Sequence, residues 1–214
     1  MAIIAVIDYG MGNLRSVAKA MEHVAPRARV IVTHHPQDIL GAERVVFPGQ
    51  GAIRDCMLEL QRWELLEVVQ QSAADKPFLG LCLGPQALMQ YSEENGGVQC
   101  LGIFPGYVRR FDDNLCDSGT GERIKIPHMG WNQVRQTVKH PLWQNIPQDS
   151  RFYFVHSYYL EPATDTIKAG ETHYGLNFTS AIARDNIFAV QFHPEKSAHL
   201  GLQLLANFAC WNPV

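Results

Sequence analysis

The sequence predicts a three-layer α/β protein in which a central sheet, mostly parallel but partly mixed, carries helices on both faces. Three observations predict it. Short apolar runs alternate with amphipathic segments from Ile3 to Leu81, the later half is rich in strands with little helix between them, and an apolar helical segment closes the chain.

Taken in order, Ile3 to Ile7 reads as the first strand and Leu14 to Val24 as the first helix. Val30 to Thr33, Val45 to Phe47 and Phe78 to Leu81 read as further strands, with a helix over Trp63 to Ala73 between the last two. These strands are continuously apolar, as expected when a parallel sheet is covered on both faces. Their crossovers must then be right-handed, and ligands bind beyond their carboxyl ends. Tyr107 to Phe111, Arg151 to Val155, Thr166 to Glu171, Ser180 to Arg184 and Ile187 to Phe192 read as strands of a mixed sheet or hairpins. A helix from about Ala198 to Phe208 covers one face. The 214 residues suit one domain spanning 1–214, and no repeat or linker divides them.

Composition narrows the function class. A formal net charge of −3 argues against a nucleic-acid binder, which needs a basic surface. The apolar run Ala2 to Ile7 is cut by Asp8 and is too short for a membrane span or a signal. Cys56, Cys82, Cys100, Cys116 and Cys210 form an odd set without a C-x-x-C pair, so a reducing cytoplasm is expected and a disulfide framework is not. Gly10-Met11-Gly12 invites a dinucleotide reading, but Arg15 stands where the third glycine should fall. Nine histidines without H-E-x-x-H imply neither metal nor cofactor.

Two segments carry chemistry. Gly80-Leu81-Cys82-Leu83-Gly84 has the layout of a nucleophile elbow, a tight strand-to-helix turn in which glycines two positions either side let the chain pass closely. The free N–H groups of the following helix would favour a thiolate at Cys82. A buried, inert cysteine in a glycine-flanked turn would read the same over these five residues. Far along the chain, His193-Pro194-Glu195 follows a strand, and residues two apart in extended chain point the same way, so Glu195 can orient His193. A cysteine, a histidine and an acid delivered from separate strand ends are what a cysteine nucleophile site requires.

These residues resemble the class I, or triad, glutamine amidotransferases, whose glutaminase domains have a flavodoxin-like fold, a G-x-C-x-G elbow and a late H-P-E. The likeness runs the length of the chain. Ile7-Asp8-Tyr9-Gly10-Met11-Gly12-Asn13-Leu14 and Pro127-His128-Met129-Gly130-Trp131-Asn132 are similar to the branch serving histidine biosynthesis, whose members are glutaminase subunits of a two-component synthase that makes imidazole glycerol phosphate. The resemblance implies hydrolysis of glutamine through a Cys82 thioester, with His193 as proton shuttle and Glu195 as its orienter. It implies oxyanion donors at Leu83 and in the loop Gly49-Gln50-Gly51, where the glycines let a peptide flip to aim its N–H. Gln86, Glu94, Ser157 and Tyr158 are then glutamine contacts, although Ser92-Glu93-Glu94 alone reads equally well as a solvated helix end.

Ammonia released at neutral pH is mostly protonated and lost to solvent, so a synthase must hand it directly to a second site. The resemblance supplies a (β/α)₈ cyclase as heterodimer partner, with Asn13, His128, Trp131, Tyr153 and Lys196 near the junction and Trp131 as an anchor. Trp131 could instead be a core aromatic. Pro85 departs from the family, which usually has methionine there, and makes the entry into the elbow helix and the aim of Gln86 less regular. The alternatives are a sister glutaminase feeding another pathway and a stand-alone cysteine hydrolase.

Overall fold

The structure, a computed structural model, describes residues 1–117 and 119–213. In chain order the first half comprises β1 (Ile3–Ile7), α1 (Leu14–Val24), β2 (Arg29–Thr33), α2 (Pro36–Gly41), β3 (Arg44–Phe47), α3 (Ile53–Arg62), α4 (Leu66–Asp75), β4 (Phe78–Leu81) and α5 (Leu83–Leu88). The second comprises β5 (Met89–Ser92), β6 (Val98–Gln99), β7 (Phe104–Arg110), β8 (His128–Gln136), β9 (Ser150–His156), β10 (Tyr158–Pro162), β11 (Lys168–His173), β12 (Asn177–Arg184), β13 (Ile187–Val190) and α6 (Ala198–Cys210).

β2, β1, β3, β4 and β13 lie side by side and all run parallel. Beyond them the order continues β12-β10-β7-β5-β6, with antiparallel pairings except between β5 and β7. β11 joins β12 to the β8–β9 hairpin.

The apolar runs divide their side chains between two cores because successive residues of a strand face opposite ways. Val45, Phe47 and Phe78 pack with Ile39, Ile53, Leu60 and Val69 of α2, α3 and α4. Val46, Leu79 and Leu81 pack with Val17 and Met21 of α1 and with Leu204, Leu205 and Phe208 of α6. The expected layers are present, and the carboxyl ends of β3, β4 and β13 converge where the elbow and the histidine segment begin.

Several boundaries differ from the sequence reading. The helix expected over Trp63 to Ala73 is α4, and Trp63 instead ends α3, where Glu64 at φ 56° turns the chain. The strand expected from Thr166 starts at Lys168 because Asp165–Ile167 form a 3₁₀ turn. β8 was not foreseen. Its polar composition hides a ribbon strand whose inward residues His128 and Val134 face the core while Met129 and Trp131 stand out.

Candidate active site

Cys82 sits between β4 and α5 with φ 54° and ψ −88°, a conformation that L residues avoid and that costs about 1–3 kcal/mol. Its N–H donates to the Val190 carbonyl of β13 at 2.8 Å, which fixes the turn to the sheet. The flanking glycines are dictated by contact. A Cβ on Gly80 would lie 2.9 Å from the Ala189 Cβ, and one on Gly84 would overlap the Phe47 carbonyl oxygen. Pro85 occupies the first turn of α5, where its missing N–H removes no helical bond.

His193 follows β13, and its N–H donates to the Tyr153 carbonyl at 2.9 Å. The His193 Nδ1 lies 2.9 Å from Glu195 Oε1, and both side chains are almost wholly buried. Glu195 lies in a 3₁₀ turn, Pro194–Lys196, held in place because Ser197 Oγ donates to the His193 carbonyl at 2.6 Å. Among the described residues His193 Nε2 and Glu195 Oε2 have no hydrogen-bond partner, so Nε2 is left for the pocket that Cys82 also lines. Burial pushes the imidazole down, but the Cys82 sulfur and the Glu195 carboxylate outweigh it and raise His193 to about 10. The stability contributed by the charged ring is therefore fully present below the ordinary 6.5 and is lost as pH rises through about 10. In Glu195→Gln one of the two groups favouring charge is gone. We expect the His193 midpoint, followed by imidazole NMR, to fall; an unchanged midpoint would mean that Glu195 does not govern this ring.

The loop Gly49-Gln50-Gly51 leaves the end of β3 against the elbow. Here the loop is in the arrangement that precedes the expected peptide flip. The Leu83 N–H faces the carbonyl of Gly49 at 3.5 Å, so the loop presents an acceptor where a donor was anticipated. Because a peptide is planar and trans, the Gln50 N–H points the opposite way and reaches the oxyanion position only when that peptide turns over. Gly49 is confined, since a Cβ there would overlap the Tyr9 hydroxyl and approach the Leu83 Cβ at 2.8 Å. Tyr9 in turn donates to the Pro48 carbonyl at 3.0 Å.

A cavity of about 480 Å³ lies over the elbow, lined by Gln50, Gly51, Cys82, Leu83, Gln86, Glu94, Ser157, Tyr158, His193 and Lys196 among others. It brings together the expected substrate residues. Glu94 is half-buried, and its Oε2 accepts from the Ile53 N–H at 2.9 Å, the first helical residue of α3; burial raises its carboxyl above the usual range. Gln86 is buried, and its Nε2 donates to Gln191 Oε1 at 3.0 Å and to the Tyr158 carbonyl at 3.3 Å. Gln191 Nε2 donates to the Cys82 carbonyl at 3.1 Å. Gln191 was missed in the sequence; its one signal there is a lone polar residue in the apolar run Ile187 to Phe192, two residues before His193.

The five expected interface residues divide. Trp131 (46 % exposed) and Met129 (62 %) project from β8, Tyr153 meets Trp131 edge-on at 6.2 Å, and Lys196 is exposed at the cavity rim. The core-aromatic reading of Trp131 is excluded by that exposure. Asn13 uses its side chain to cap α1, accepting from the Ser16 N–H at 3.4 Å. His128 is not a surface contact: it is 3 % exposed, stacked between Phe154 and Tyr174, and pushed down to about 4 by burial.

A thiol, an imidazole held by a carboxylate, and a donor at the start of a helix are a set that can perform nucleophilic acyl transfer. The family described as Glutamine amidotransferase class-I matches residues 5–210. The chain is 63% identical over 214 residues to imidazole glycerol phosphate synthase subunit HisH of Nitrosococcus oceani, covering 100% of both. It is 57% identical over 212 residues to the same subunit of Pseudomonas syringae pv. syringae, covering 99% of each. The fold is similar to the structure of PurLQS from Thermotoga maritima, with TM-score 0.70, 14% identity and 97% of both chains covered. The chain belongs to the class-I glutamine amidotransferases and, within them, groups with the HisH subunits of imidazole glycerol phosphate synthase.

Proposed function

We propose that the chain, as one amidotransferase domain over 1–214, is the glutaminase subunit of a cytoplasmic imidazole glycerol phosphate synthase, releasing ammonia to a docked (β/α)₈ cyclase. The observation that carries this is that Cys82 and His193 line one cavity, with Glu195 bonded to His193 behind it. Cys82 Sγ attacks the side-chain amide carbon of glutamine, and His193, charged in the ion pair, protonates the departing nitrogen. The resulting thioester is opened by water, whose proton His193 accepts, and glutamate leaves. Glu195 holds the Nδ1 proton of His193 throughout. The Glu94 carboxylate receives the glutamine ammonium; Gln86, Ser157 and Tyr158 line the other wall.

The oxyanion formed at the amide carbon needs donors. Leu83 N–H supplies one, and the loop completes the pair when the Gly49–Gln50 peptide turns over, replacing the Gly49 carbonyl by the Gln50 N–H. One such donor is worth about 10²- to 10³-fold in rate. Docking of the cyclase on the face carrying Trp131, Tyr153 and Lys196, next to the cavity, places the ammonia exit against the partner.

The test measures glutamate release by the chain alone and then with the cyclase and its nucleotide substrate. We expect stimulation of about 10²- to 10³-fold, the value of the recovered donor. Equal rates with and without the cyclase would sink the partner assignment and favour a stand-alone hydrolase.

A further inference from the structure

A buried file of hydrogen bonds runs from the β8–β9 hairpin to the elbow, and its proton order is fixed at both ends. His128 and His156 are directly opposed across the hairpin. His156 Nδ1 lies 2.8 Å from the Tyr158 carbonyl, His128 Nδ1 lies 2.9 Å from His156 Nε2, and Asn132 Nδ2 lies 3.2 Å from His128 Nε2. Asn132 Nδ2 also donates to the His173 carbonyl at 2.9 Å, while its Oδ1 accepts from the Gln133 N–H.

Backbone carbonyls only accept. The Tyr158 carbonyl therefore requires a proton on His156 Nδ1, which leaves Nε2 of that neutral ring as an acceptor. His128 must then donate from Nδ1 and accept at Nε2, and the amide nitrogen of Asn132, turned inward by the His173 carbonyl, supplies that proton. Both rings are thus neutral Nδ1–H tautomers, the form disfavoured in free histidine. Burial agrees: it pushes His128 to about 4 and His156, which also faces His128 and His193, to about 3. The Tyr158 carbonyl is shared with Gln86, which passes the chain through Gln191 to the Cys82 carbonyl.

We propose that Asn132, His128 and His156 are positioning residues for the glutaminase reaction, holding the Tyr158–Gln86–Gln191 wall and the strained Cys82 turn in register with the hairpin. This rests on the glutaminase reading above. Asn132 is the one member at the protein surface, a few ångströms of chain from Trp131, so the order of protons in the site is set from the exposed ribbon. The mechanism does not use these residues otherwise; His156 lines the cavity, and His128 and Asn132 stand behind it.

The informative substitution is Asn132→Asp, nearly isosteric, which replaces the donor by an acceptor. A proton is then drawn onto His128 Nε2, so either His128 becomes charged or the order reverses and His156 turns a lone pair toward the Tyr158 carbonyl. In the unsubstituted protein ¹⁵N–¹H NMR at pH 7 should report both rings as neutral Nδ1–H; an Nε2–H or doubly protonated signal from either overturns the proposal. In the cyclase complex, Asn132→Asp should lower kcat about 10-fold with KM within about 2-fold, the cost of a buried bond left unmade. His156→Phe should do the same, and His156→Asn, which keeps a donor near the Tyr158 carbonyl, should restore most of the rate. Unchanged kcat in both Asn132→Asp and His156→Phe overturns the positioning role. If the unsubstituted complex released no glutamate, the glutaminase reading would fail instead, and the tautomers would still judge the proton order.

Discussion

Cys82→Ala removes glutamate release by on the order of 10⁶-fold, the scale on which a covalent nucleophile's loss is felt. Cys82→Ser should recover little, because a hydroxyl paired with the same imidazole does not reach the anionic state that a thiol does. The measurement is single-turnover hydrolysis of glutamine in the proposed complex with a cyclase, with intact-mass detection of a glutamyl adduct that appears in the unsubstituted protein and not in the alanine variant. The size of the effect follows from geometry: the cavity holds one sulfur, Cys82, and His193 Nε2 is left for it. Cys56 and Cys100 cannot substitute, since burial raises both thiols to about 12. Retained turnover in Cys82→Ala would show that the thioester route is wrong.

Gly84→Ala is expected to lower activity by about 100-fold, and through the backbone. The new methyl would overlap the Phe47 carbonyl oxygen at the end of β3, an atom with no freedom to move without separating two paired strands. Overpacking of this kind destabilises by about 1–3 kcal/mol. Displacement of the elbow by about 1 Å would cost about 100-fold in rate. Urea unfolding and kcat should therefore both change. Gly41→Ala is the control: nothing lies within 4 Å of its added Cβ, and its φ is not in the left-handed region. Its unfolding midpoint should be unchanged or slightly higher. Equal behaviour of the two variants would mean that close approach does not explain the elbow glycines.

The parts of the site that were legible in the sequence are those whose constraint is local. Gly80 and Gly84 bracket Cys82 because a turn this tight admits no side chain at either position, and that requirement leaves its mark within five residues. His193 and Glu195 meet because extended chain repeats every two residues. The parallel strands were readable because a sheet covered on both faces needs apolar residues at every position. β8 was not readable, since a ribbon strand with Gly130 at φ 133° and polar outward residues has no such signature. His128 resembled a surface contact in a motif, yet it is enclosed by Phe154, Tyr174 and Phe178, rings contributed from elsewhere in the chain.

By itself the amino-acid sequence determined the three layers, the elbow, the pairing of His193 with Glu195 and the family, because each is written in short-range spacing or in the hydrophobic pattern. Only the tertiary structure decided that the Gly49 carbonyl faces the Leu83 N–H, that Gln191 holds the Cys82 turn, and that Asn132 governs two buried histidines. Those outcomes depend on which carbonyl or amide a distant segment presents, and hydrogen-bond direction across a folded site has no counterpart in the linear order of residues.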